Sequence, residues 1–104
     1  MQIQVNTDHN IPGHEALVTE VEASVLNSLQ RFGKHITRVE VHLTDENGNK
    51  GGADDKRCVL EARLEGHQPV VVTHHAETLK QAYTGAAHKM KTALTTTVEK
   101  LRTY

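Results

Sequence analysis

The chain has 104 residues, enough for one domain and too few for two, and a domain of this size buries roughly two-thirds of its unfolded surface, so a core without disulfides or structural metal is feasible. Hydrophobic residues make up 37% and charged residues 24%, the balance of a soluble globule, and a formal charge of −1 leaves composition alone without a nucleic-acid signal. A single cysteine, Cys58, excludes an internal disulfide and fits a reducing compartment, while an N-terminus reading Met1-Gln2-Ile3-Gln4-Val5 is no signal peptide and no stretch is apolar enough to span a membrane, so a cytoplasmic protein with no membrane partner is expected.

Residues 2–6 alternate, with Ile3 and Val5 on one side and Gln2, Gln4 and Asn6 on the other, the pattern of a half-buried strand. Asn10, Pro12 and Gly13 mark a loop. From His14 the period becomes helical: Leu17, Val18, Val21, Val25, Leu29 and Phe32 form one apolar stripe, and Gly33 is placed as its stop. Residues 36–43 alternate again, with Val39, Val41 and Leu43 inward. Residues 44–55, with Gly48, Gly51 and Gly52, read as a polar loop.

Residues 56–64 give the next strand, with Cys58, Leu60, Ala62 and Leu64 inward, and residues 65–68 a hairpin turn. Pro69 opens a valine-rich strand over 69–73, where proline suits a strand start or a sheet edge. A long helix follows from about residue 77 to 102, with Leu79, Ala82, Tyr83, Ala86, Met90, Ala93, Leu94, Thr97 and Leu101 as its buried stripe. The order is β-α-β-β-β-α over a single domain, residues 1–104. The first two strands are predicted parallel and the rest antiparallel, in an α/β (α+β) two-layer sandwich with both helices on one face of a four-stranded mixed sheet.

Charge is unevenly distributed. In residues 74–104, Lys80, Lys89, Lys91, Lys100 and Arg102 outweigh Glu77 and Glu99, a net of +3, and the remainder of the chain carries −4. At about 100° per residue, Lys80, Lys91 and Arg102 fall within roughly 40° of one another on the last helix, and Thr84, His88 and Thr95 extend that face. Lys89 and Lys100 flank the opposite edge of the buried stripe, and Arg31 and Lys34 stand at the end of the first helix. Cations on one ridge suit phosphates, because each contact releases counterions. The bland reading of the same residues is an ordinary solvated helix face.

The other chemistry-bearing residues point to no enzyme, metal or cofactor. His74 and His75 are neighbours on a strand and project to opposite sides, and no His-x-x-x-His pair or second cysteine accompanies them. Cys58 sits on an inward strand face as a small core residue. Asp45-Glu46 and Asp54-Asp55 do not follow a Ca²⁺-loop spacing and read as solvated loop charges.

The order of elements, the opening strand Met1–Val5, the second strand Arg38-Val39-Glu40-Val41-His42-Leu43 and the segment from Thr78 to Met90 together resemble the ribosome hibernation-promoting factor and ribosome-associated inhibitor A family, or sigma-54 modulation proteins. Leu79, Ala82, Gly85 and Lys89 fall on matching positions of that family's last-helix signature, where an Asp-Gly pair in the family reads Thr84-Gly85 here. The first helix carries Glu15, Glu20 and Glu22, and further basic positions of the last helix read Thr92, Thr96 and Val98. The resemblance implies a stress-linked translation inhibitor that binds the small ribosomal subunit and its ribosomal RNA without catalysis. With the charge and spacing above, the expected RNA contacts are Lys80, Lys89, Lys91, Lys100, Arg102, Arg31 and Lys34. A chain ending at Tyr104 is expected to be a short member and a monomer, with an edge-strand dimer as the other possibility. The alternative function is a stress-related protein-interaction module on the same fold with weak or no RNA binding.

Overall fold

The computed structural model describes residues 1–9, 11, 13–46 and 55–102, the last two by backbone alone. The elements are β1 (Gln2–Thr7), α1 (His14–Leu29) continued by a 3₁₀ turn (Gln30–Phe32), β2 (Ile36–Asp45), β3 (Lys56–Leu64), β4 (Val70–Ala76) and α2 (Leu79–Arg102). The sheet order is β1-β2-β3-β4. β1 pairs parallel with β2, and the other two pairings are antiparallel. α1 lies over β1, α2 lies over β3 and β4, and the two helices touch each other. The predicted β-α-β-β-β-α sandwich is the observed one.

The period-2 pattern of the strands decides which face the helices cover. Val39, Val41 and Leu43 of β2 and Cys58, Leu60, Ala62 and Leu64 of β3 are buried, and they join Val21, Val25 and Leu29 of α1 with Tyr83, Met90 and Leu94 of α2 in one core. The alternate residues, among them Arg38, Glu40, Arg57, Glu61 and Arg63, line a sheet face that no helix covers. One irregularity keeps the phase: the β2–β3 register slips between Ile36 and Arg38, so Ile36 and Val39, three residues apart, both reach the core.

Several boundaries differ from the sequence reading. β2 runs on to Asp45 and β4 to Ala76, each past its expected end. Gly33 ends α1 without a left-handed conformation: its φ is −56°, and its N–H donates to the Gln30 carbonyl at 3.0 Å, closing a 3₁₀ turn. α2 starts at a capping pattern, Thr78-Leu79-Lys80-Gln81, in which the Thr78 hydroxyl accepts the Gln81 N–H at 3.1 Å. Its buried stripe also includes Ala87 and Val98, because α1 packs against α2 on a second side.

Asp45 and Asp55 are not solvated loop charges. Their exposures are 9% and 3%. They face each other where β2 leaves the sheet and β3 enters it, and Lys56 Nζ lies 2.9 Å from Asp55 Oδ1 and 3.4 Å from Asp45 Oδ1. The Glu46 N–H donates to the Asp55 carbonyl at 2.9 Å. The hydrogen bond that Lys56 donates to Asp55, with the charge of Asp45 beside it, holds the Lys56 ammonium above its ordinary pKa. Most of the expected glycine-rich loop, and Asp54 within it, lies outside the described residues.

Candidate functional site

Among the described residues, the sheet offers no free cationic surface. Arg38 pairs with Glu40 at 3.0 Å and hydrogen-bonds Gln4, Arg63 pairs with Glu61 at 3.1 Å, and Arg57 pairs with Glu46 at 3.5 Å. His75 Nε2 also reaches Glu46, at 3.4 Å. The register sets Arg38 opposite Arg63 and Glu40 opposite Glu61, so the short pairs run along each strand at i,i+2, and Arg63 also lies 3.9 Å from Glu40 diagonally across the strands.

The helical layer is different. Lys80, Lys91 and Lys34 are exposed and form no ion pair among the described residues. Lys80 and Lys91 share one face of α2, as their spacing predicted. Arg31 is drawn to the same side: its Nη2 donates to Thr95 Oγ1 at 2.9 Å, and its guanidinium lies 4.6 Å from the centre of the Phe32 ring. This contact ties the end of α1 to the turn of α2 that follows Lys91. Lys34 is exposed just beyond it.

Three of the expected contributors stand apart. Lys89 turns toward the sheet edge, where its Nζ donates to the Thr73 carbonyl of β4 at 2.8 Å. Lys100 is exposed but engaged with a neighbour. The side chain of Arg102 lies outside the described residues. The threonines of the ridge are also committed. Thr84 donates its hydroxyl proton to the Lys80 carbonyl at 2.7 Å, and Thr95 to the Lys91 carbonyl at 2.8 Å. The ridge is therefore one of cations rather than of cations and hydroxyl donors. Val98, which shares the angular position of Lys80, is 6% exposed, so it is a core position and not a surface site that lost a base.

His74 escaped the sequence reading as a member of this region. It is half-buried on the helix side of β4, and its ring fills the space left by Gly85 of α2: a Cβ at Gly85 would come within 2.2 Å of it. The Gly85 that matched the family signature is thus needed for close approach of strand and helix. No group of three or more His, Cys, Asp or Glu side chains among the described residues could hold a metal ion. Cys58 is fully buried, and burial pushes its thiol up to about 12, which leaves it unsuited to act as a nucleophile near neutral pH. No helix among the described residues is long and apolar enough to cross a membrane.

A chain with this sandwich, an ion-paired sheet face and uncompensated lysines on its helical layer has the form of a small binding domain. Comparison with known proteins gives its family: residues 3–102 match the family described as sigma 54 modulation protein / S30EA ribosomal protein, and the chain belongs to it. No curated protein sequence matches it significantly. Among solved structures, a ribosomal subunit interface protein from Coxiella burnetii is similar at a TM-score of 0.77 and 15% identity, over 95% of this chain and 99% of that one. The N-terminal domain of Protein Y from Thermus thermophilus is similar at a TM-score of 0.70 and 20% identity, over 89% and 94% of the two chains. At these identities the likeness is one of fold.

Proposed function

We propose that this protein binds the ribosome and restrains translation, docking on ribosomal RNA of the small subunit through the helical layer, without catalysing a reaction. Membership of the S30EA family and the ribosomal title of the Coxiella neighbour support a ribosomal partner. The observation that carries the choice of surface is the contrast in charge pairing. The sheet-face arginines and Lys56 each lie against a carboxylate, whereas Lys80, Lys91, Lys34 and Arg31 have none among the described residues. An unpaired exposed cation keeps its counterion until a phosphate replaces it, and that release drives binding. Among the described residues, the aromatics Phe32 and Tyr83 are buried and offer no stacking platform, which supports recognition by RNA backbone and shape. Lys89 and Lys100 extend the surface as secondary contacts, and Arg102 lies at its far end.

Co-sedimentation of the purified protein with small ribosomal subunits, over a series of salt concentrations, tests this. Retention at low salt that falls steeply as salt rises is the expected result. Failure to co-sediment even at low salt would overturn the ribosomal reading and leave a protein-interaction module on the same fold.

A further inference from the structure

Where the end of β4 meets the first half of α2, an open depression of about 520 Å³ is lined by His74, His75, Gln81, Thr84, Gly85 and His88 beside Ala76. Three histidines line it, His74 and His88 on the helix side and His75 from the opposite face of β4, and no carboxylate is among the lining side chains. His88 is exposed on the ridge side of α2, about two turns beyond Lys80 and one turn before Lys91. His74 presents its ring from β4, seated against Gly85. His75 is the member already committed, to Glu46 at 3.4 Å, and Arg57 shares that carboxylate at 3.5 Å. Outside the lining, Lys80 precedes Gln81 on α2, and Lys89 is held at the β4 edge by the Thr73 carbonyl. Glu77 is exposed beyond the end of β4 and outside the lining.

We propose that this depression is a binding site for RNA backbone phosphate, with His74 and His88 as its ligands when protonated, so that RNA binding by the α2 ridge strengthens as the pH falls below neutrality. The proposal rests on the RNA-binding reading above and adds to it a site and a regulating signal. Imidazole is the side chain whose ordinary titration lies between about pH 5 and pH 8, and both ring nitrogens become donors when it is charged. The hollow is polar and open, which lets a phosphate enter without losing all its water. The lysines on either side add positive potential, and no acid inside the hollow competes for the imidazolium.

The test follows the histidine ring signals by nuclear magnetic resonance at about pH 6 and about pH 8, with inorganic phosphate in one arm and a short single-stranded RNA in the other. Binding of the RNA should shift the His74 and His88 rings saturably at the lower pH, with affinity roughly tenfold above that at the higher pH. The joint variant His74→Gln with His88→Gln should lose this gain, and a His9→Gln with His67→Gln control should keep it. Unmoved rings, or a full gain in the His74/His88 variant, would overturn the proposal. Ring shifts with inorganic phosphate and none with RNA would also overturn it, by reducing the hollow to a general anion site. None of these readings uses ribosomes, so failure of the ribosomal reading in co-sedimentation stays distinguishable from failure of this one.

Discussion

Single side chains in this protein are tuned by what presses against them. The Cys58 thiol, raised to about 12 by burial, keeps its proton in the folded chain long after an unfolded chain has lost it near pH 9. Its contribution is therefore complete below pH 9 and declines as pH rises toward 12, by about 1.4 kcal/mol per unit. Urea melts at increasing alkaline pH should show a shallower decline for Cys58→Ala than for the wild type; equal slopes would place the thiol in water. Tyr83, raised by burial and by Glu20 of α1 beside it, and Lys56 lose stability in the same direction at high pH, so the difference between the two proteins isolates the thiol. Gly85 gives a second test. Alanine is better than glycine in a helix by about 1 kcal/mol, but here its Cβ would overlap the His74 ring. Gly85→Ala should destabilise the wild type and stabilise a His74→Ala background, and simple additivity of the two changes in a double-mutant cycle would contradict the contact.

At the scale of elements, α1 and the inward phases of β1, β2 and β3 were legible because each shows a clean period, 3.6 or 2, in residues with no other task, whereas the run of valines in β4 gave a strand without a phase. The errors fall where two elements share a residue. Val98 looked exposed because a helix resting on a sheet alone would leave that side in water; α1 covers it, and a neighbouring helix leaves no periodic signature in α2 itself. Val98→Lys should therefore cost roughly 2 kcal/mol in a urea melt, as a charge forced into the core does, and should not strengthen RNA binding. Asp45 and Asp55 read as loop charges because nothing local reveals that β2 continues to Asp45 or that Lys56 bridges both acids. Lys56→Met should lower the urea midpoint, and adding Asp55→Asn should restore part of the loss by removing the charge left unpaired. The helix start at Thr78 was legible in principle: Thr78-Leu79-Lys80-Gln81 is a capping pattern, and its hydrogen bond from Gln81 N–H is formed at 3.1 Å.

For the molecule as a whole, the basic last helix was visible in the charge count, but the cations left unpaired were not. On the sheet, Arg38–Glu40 and Arg63–Glu61 pair along their own strands, but the contact of Arg63 with Glu40 follows from strand register, and register is not written in any one segment. Spacing set Lys89 across the buried stripe from Lys91, and the fold holds it there, at the β4 edge, on the Thr73 carbonyl. The resulting asymmetry, a neutralised sheet face and an uncompensated helical one, is the central claim. Its most direct measurement is co-sedimentation of Lys80→Glu with Lys91→Glu beside the wild type, on small ribosomal subunits across a salt series, with thermal melts of both proteins. Both lysines are exposed, so the melts should coincide. The slope of log affinity against log salt should flatten by roughly 1.4 to 1.8 units, the loss of two phosphate contacts. A variant that binds with the wild-type affinity and slope would contradict the account.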